Sequence, residues 1–256
     1  MNTSQQSPNK RTLTNPAKRL HTILAGAGAK DYQSKHFRVY LAATLGGDQA
    51  NDLDMFRHLL GIYDLVAVTE RRLTTMKHHK RETYVSCIKP IVTTLQHMQL
   101  NTVAHQITQQ LGGGPLHILD LASDALDQEQ PELLIEQTEL DALYSDAEKL
   151  EDQIKSADLP SELSTLLLDC IKRIKSAIKN YKLGGAEGLD RAIKEAYGAA
   201  FVEHAVVMPE KDNPIVRGFW DWLGRTNNTV SACKNAYAAG LIATDVVVHL
   251  LEYMSH

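Results

Sequence analysis

Residues 140–181 read LDALYSDAEKLEDQIKSADLPSELSTLLLDCIKRIKSAIKNY and contain two apolar repeats, separated by a short break, Asp-Leu-Pro, at 158–160. In both repeats, small or apolar side chains recur at alternating steps of three and four residues. The positions are Leu140, Leu143, Ala147, Leu150, Ile154 and Ala157, then Leu163, Leu167, Cys170, Ile174, Ala177 and Tyr181. Such spacing is typical of helices that pack along a narrow seam. Because the break is short, the two repeats predict an antiparallel helical hairpin.

The segments on both sides of the hairpin also show helical signals. Asn15-Pro16 places an N-cap residue before a proline at the first helical position, which is a frequent start of a helix. A long helix from residue 51 or 52 to about residue 76 is predicted by apolar residues at helical spacing. These residues are Leu53, Phe56, Leu60, Tyr63 and Val66. A further helical stretch is predicted at 81–110, with Pro90 kinking it or dividing it in two.

These patterns together predict an all-α fold, a multi-helix bundle of about nine or ten helices with the antiparallel hairpin at its centre. Only 116–121 and 245–250 carry weak strand signals. The predicted organisation is a flexible N-terminal tail at 1–14, a basic helical bundle at 15–111 and an acidic-hairpin helical bundle at 116–256. With 256 residues, of which 43% are hydrophobic, the chain is long enough for two small domains or for one packed unit.

The formal net charge of -4 conceals a separation of charge along the chain. Residues 1–111 carry +7, whereas residues 112–256 carry -11. Carboxylates crowd the first arm of the hairpin and lysines the second, so we expect ion pairs between the arms, each worth ~0.2–1 kcal/mol. Acidic residues that stay unpaired would offer a surface to a protein partner. The candidates on this surface are Glu136, Glu139 and Glu148.

The densest basic segment is RRLTTMKHHKR at 71–81. Its cationic residues are Arg71, Arg72, Lys77, Lys80 and Arg81. A run of this kind can dock on acidic protein surfaces, bind the phosphates of a nucleic acid, or form an ordinary solvated helix end. It contains no aromatic residues on which bases could stack, so docking on the protein's own acidic segment, residues 120–162, or on a partner is favoured.

The same segment has one pattern that suggests an enzyme. Arg72 and His78 fit the loose Arg-x4–6-His spacing used by helical ribonucleases, although a chain with 11 His is expected to match it by chance. A ribonuclease or an RNA-binding protein that uses 71–81 is therefore an alternative interpretation.

No connected set of catalytic or metal-ligating residues stands out. The three cysteines are far apart and lack CxxC spacing, so neither a disulfide framework nor a zinc site is predicted. Asp54 and His58 would share a helix face, but a metal site needs a third ligand. No glycine-rich loop has the spacing of a nucleotide site. We predict no catalytic residue, no metal and no cofactor, which favours a non-enzymatic protein.

The C-terminal part of the chain is the least polar. Phe219, Trp220 and Trp222 precede an apolar stretch at 236–251 that includes Asp245. This stretch is shorter than the roughly 18 apolar residues expected of a spanning helix. The three aromatic residues are candidates for a membrane or homo-oligomer contact, and anchoring of the last helix in the core is the third interpretation.

The overall expectation is a cytoplasmic, non-enzymatic helical interaction protein that docks a protein partner through charge-segregated surfaces. The cytoplasmic location is expected because the N-terminus is polar and the cysteines suggest no disulfides. Three alternatives stay open: a homo-oligomer, a helical effector that acts on a membrane through the C-terminal apolar helices, and the RNA-binding protein or ribonuclease.

Overall fold

The computed structural model describes residues 13–129 and 132–234 of the chain. Within these residues there are twelve α-helices, two 3-10 turns and one pair of two-residue strands. In chain order the strands and helices are β1 (Leu13–Thr14), α1 (Pro16–Gly26), α2 (Phe37–Leu45), α3 (Asp52–Thr75), α4 (Arg81–Val85), α5 (Ile88–His97), α6 (Gln106–Leu111), α7 (Gly113–Glu129), β2 (Glu132–Leu133), α8 (Gln137–Ser156), α9 (Ser161–Lys179), α10 (Tyr181–Val202), α11 (His204–Val207) and α12 (Pro214–Lys234). The predicted all-α multi-helix bundle is confirmed.

Helices α1 to α7 surround the first of two apolar cores. The helix at Pro16 begins as predicted, because the Asn15 side chain caps it by accepting a hydrogen bond from the Lys18 N–H. The stretch predicted at 81–110 is divided into α4, α5 and α6. Pro90 lies in the first turn of α5, where its missing N–H removes no helical hydrogen bond.

The weak strand signals have different outcomes. Residues 116–121 lie inside α7, which packs along α1 and buries Leu119 and Ala122, so the strand signal there is wrong. Residues 245–250, and with them the whole apolar stretch at 236–251, lie outside the described residues.

The predicted antiparallel hairpin is confirmed as α8 and α9. Both seams face the second core, which α10 and α12 complete. An ion pair between the arms accompanies the apolar contacts, because Lys175 on α9 lies 2.8 Å from Glu151 on α8. Gly185 bends α10 with a φ of +58°, a left-handed conformation that favours glycine.

Helix α3 confirms the long helix predicted from 51 or 52 to about 76, but the repeat that predicted it is not its buried face. Of the five residues in that repeat, only Val66 is buried. The side of α3 that packs on the first core is formed by Met55, Ile62, Leu65 and Leu73 together with Val66 and two polar residues.

The two cores meet along α1, α3 and α10. Strand β1 pairs antiparallel with β2, with Thr14 opposite Glu132. Helix α10 approaches α3 closely at Gly61, where an added Cβ would lie 2.7 Å from Leu183 Cδ1. The side chain of Leu183 itself belongs to the first core, so α10 contributes to both.

Candidate protein-interaction surfaces

The outward side of α3 carries a row of exposed apolar side chains. Leu53 is 66% exposed, Phe56 51% and Leu60 63%, although each is a residue type that is usually buried. Half-buried Tyr63 and exposed Ala67 continue the row at the next two steps. We call these five residues the α3 outer face. Their spacing of three and four residues is that of a helix seam. Tyr63 packs against the edge of the first core, whereas no other helix among the described residues covers Leu53, Phe56 or Leu60.

The exposure of this row follows from a well-formed helix. The Asn51 side chain accepts hydrogen bonds from the N–H groups of Leu53 and Asp54, which caps α3 at its start. Met55 and Ile62, on the opposite side, are fully buried. The rotation of α3 about its axis is therefore set by the core, and the α3 outer face points to solvent as a consequence.

Charged residues of both signs flank the α3 outer face. Arg57 is 72% exposed and lies 3.0 Å from Asp54, one helical turn before it. Asp64, two helical turns after Arg57, is exposed and has no ion-pair partner among the described residues. Asp52, by contrast, is paired with Arg38 at 2.5 Å. The apolar row thus has a cation and an anion along one edge.

A cleft of about 420 Å³ adjoins the same edge of α3. It lies between α3 and the junction of α9 with α10. Its walls include Leu60, Gly61 and Asp64 on one side and Leu183 and Arg191 on the other. The α3 outer face is therefore bordered by a concave surface into which side chains of a bound protein can extend.

The basic residues of 71–81 divide into two groups. Arg71 and Arg72 both donate to the Glu187 carboxylate, at 2.6 and 3.4 Å, and so help to hold α3 against α10. This agrees with the expectation that part of the run pairs with acid of the same chain. The acid, however, lies on α10 and not in the acidic segment at 120–162.

Lys77 and Lys80 are exposed in the turn between α3 and α4, and Arg81, the first residue of α4, is exposed as well. The Lys77 N–H donates to the Glu129 carboxylate at 2.9 Å, so α7 holds the backbone of this turn. His78 stacks on His79 with 4.4 Å between ring centroids. The three cations are accessible to an acidic partner or to phosphates, and the nucleic-acid interpretation stays a prediction.

The acidic candidates on α8 differ in their surroundings. Glu136 is exposed at the start of the helix, Glu139 accepts a hydrogen bond from the Thr229 hydroxyl at 3.0 Å, and Glu148 lies 3.6 Å from Lys175. Hydrogen bonds from Lys155 and Lys175 lower the pKa of the nearby Glu151 to about 2. Part of the acidic charge is therefore neutralised within the chain, as the charge pattern predicted.

Two of the three aromatic candidates in α12 are buried. Phe219 and Trp222 lie in the second core, where the Trp222 Nε1–H donates to the Leu143 carbonyl at 3.2 Å. Half-buried Trp220 stacks on Tyr197, with 6.0 Å between ring centroids. A membrane or oligomer contact through Phe219 or Trp222 would require this core to open. Across residues 13–129 and 132–234, no helix has both the length and the apolar character of a membrane span.

Side chains with the potential for catalysis are dispersed or buried. Burial raises the pKa of the Cys87 and Cys170 thiols to about 11, so both are poor nucleophiles at neutral pH. His58 does not pair with Asp54, because its Nε2 lies 2.8 Å from the Gly46 carbonyl. In the described part of the chain no three His, Cys, Asp or Glu side chains come together as metal ligands would.

Comparisons with protein families, with curated proteins and with solved structures find no match to this chain. The surface with the most unusual composition is the α3 outer face, which sequence reasoning did not select as a site. A signal was present: the apolar residues of 51–76 form two rows, whereas one row suffices to attach a helix to a core.

Proposed function

We propose that this protein is a non-enzymatic interaction protein that binds a protein partner through the α3 outer face. The observation that carries the proposal is the exposure of Leu53, Phe56 and Leu60 in one row of a capped helix. Exposed apolar side chains are common when scattered, but a contiguous row edged by charges is characteristic of protein contact sites. The expected partner chemistry is an apolar helix face, because the spacing of the row is that of a helix seam.

The charged surfaces predicted from the sequence have a secondary role in this proposal. A partner would be oriented, and its approach sped, by Glu136 on α8 and by the exposed cations that follow α3, which are Lys77, Lys80 and Arg81. Reversal of Glu136, Glu139 and Glu148 together is expected to change the association rate and its salt dependence more than the dissociation rate. An unchanged association rate would remove the acidic surface from the proposal.

Site-specific photo-crosslinking tests the proposal. A benzophenone amino acid replaces Phe56 in cells that make the protein, and the matched control replaces Phe201, a phenylalanine of similar exposure on α10. We expect position 56 to capture protein and position 201 to capture little. Adding Leu60→Glu should abolish the capture from position 56. Equal capture from both positions, or none from position 56, would refute the proposed contact site.

A further inference from the structure

We infer that the partner of the α3 outer face is a second copy of this chain, bound with its α3 antiparallel about a twofold axis near Leu60. The inference rests on the proposed function and identifies its partner. A twofold contact needs a surface that is complementary to itself, with each residue facing a different residue of the same set. Both the apolar row and the charges beside it meet this condition.

The apolar row is nearly symmetric about Leu60. Antiparallel pairing places the two Leu60 side chains together at the axis. It places Phe56 beside the partner's Tyr63, and Leu53 beside the partner's Ala67. The large Leu53 at one end of the row is therefore paired with the small Ala67 at the other end, which favours close packing. The row is about 20 Å long at 1.5 Å per residue.

The charges give the stronger argument, because they distinguish a second copy from an unrelated apolar helix. Arg57 and Asp64 lie three residues before and four residues after Leu60, on the same edge of the row. In an antiparallel pair such edge residues face each other. Arg57 therefore faces the partner's Asp64, and Asp64 faces the partner's Arg57. The twofold symmetry thus forms this ion pair twice in each dimer.

A parallel pair of α3 helices would bring these charges into less favourable contacts. In that arrangement Asp64 would face the partner's Leu59, and Arg57 would face the partner's Asp52. Asp52 is already paired with Arg38 within its own chain. The antiparallel arrangement is thus the one in which Asp64, which lacks an ion-pair partner among the described residues, acquires one.

The inference is tested by exchanging the two charges in the full chain and measuring dimerisation of the variants by sedimentation velocity. Arg57→Asp and Asp64→Arg each place like charges in both symmetric contacts, so each variant alone should dimerise about tenfold more weakly than the wild type. The double variant should regain the wild-type dissociation constant. A mixture of the two single variants should form heterodimers in preference to either homodimer. Phe201→Asp, an exposed change near the C-terminal end of α10, is the control and should not alter dimerisation.

Other molecules or segments that could cover the α3 outer face predict different results. A wild-type chain that is monomeric at every concentration overturns the inference, as does a double variant that remains as weak as the single ones. Capture of only a different protein from position 56 overturns the inference and leaves the proposed function standing. Binding of the monomer to phosphatidylcholine vesicles through Phe56, or crosslinks from position 56 to residues 235–256 of the same chain, would overturn both.

Discussion

Arg19 of α1 donates a hydrogen bond from Nη1 to Glu132 Oε1 of β2 at 3.0 Å, although both side chains are only 8% exposed. The same carboxylate oxygen accepts the Ala186 N–H at 3.2 Å, where α10 resumes after its bend. A buried ion pair therefore joins the helices of the first core to the strand and helix that lead into the second. Removal of only one of the two charged side chains should be costly, because the other charge would then be buried without a counter-charge.

We expect Glu132→Ala to lower the free energy of unfolding by about 3–5 kcal/mol, measured by denaturant titration. The double variant Arg19→Met with Glu132→Leu should be less destabilised than either single change, because it leaves no unpaired charge. Arg173→Ala is the control, since its pair with Glu195 is solvent-exposed on both sides and should cost about 0.2–1 kcal/mol. If Glu132→Ala lowers the free energy of unfolding no more than the control does, the ion pair does not stabilise the contact between the two cores.

Gly185 is the second position at which we expect a substitution to destabilise the region where the two cores meet. At φ +58° an alanine is strained, and its Cβ would lie 2.3 Å from Arg19 Cζ. Gly185→Ala should therefore cost about 1–3 kcal/mol from the backbone alone and more from the clash. Gly188→Ala, three residues along the same helix and with no side-chain neighbour within 4 Å, should instead stabilise by about 0.4–1 kcal/mol. Thermal unfolding of both variants measures the contrast, and equal shifts would contradict it.

The hairpin should show a defined acid sensitivity at Glu151. Hydrogen bonds from Lys155 and Lys175 lower its pKa from the ordinary value of 4.5 to about 2, so the folded state favours the ionised carboxylate. This stability is present above pH 4.5 and is lost as the pH falls towards about 2. The difference in unfolding free energy between wild type and Glu151→Gln should therefore shrink over that window. A difference that is constant with pH would mean that the lysines do not act on this group.

The tryptophans should differ in accessibility. Trp222 is buried and hydrogen-bonded to Leu143, whereas Trp220 is half-buried against Tyr197. The variant Trp220→Phe, which retains Trp222, should be quenched by acrylamide much less than Trp222→Phe, which retains Trp220. Equal quenching would indicate an open second core and would favour a membrane or oligomer contact through α12.

The hairpin was predictable because its signal is local. Alternating steps of three and four residues specify which side of each arm is apolar, and a short break leaves only an antiparallel arrangement. The existence of α3 was predictable for the same reason. Its orientation was not, because it carries two apolar rows, and only packing against α1 and neighbouring helices selects Met55 and Ile62 as the buried one.

The junction between the cores was not predictable from sequence patterns. Arg19 and Glu132 are separated by more than a hundred residues, as are Arg71 and Glu187. No spacing rule links such residues, and charge counts alone suggested that the basic run would pair with the acidic segment. The weak strand signal at 116–121 was wrong because a short run rich in apolar residues is a weaker determinant than the packing of α7 on α1.

Disulfide trapping of Leu60→Cys is the most direct measurement of the contact between two α3 helices. The native Cys87, Cys170 and Cys233 are buried, so an added thiol on the exposed face is the reactive one. Antiparallel pairing brings position 60 next to its own copy, whereas two copies of position 53 would lie about 20 Å apart at 1.5 Å per residue. A disulfide requires Cα atoms within about 7 Å. We expect mild oxidation to convert Leu60→Cys to a covalent dimer and to leave Leu53→Cys monomeric. A monomeric Leu60→Cys, or equal crosslinking of both variants, would contradict the antiparallel contact.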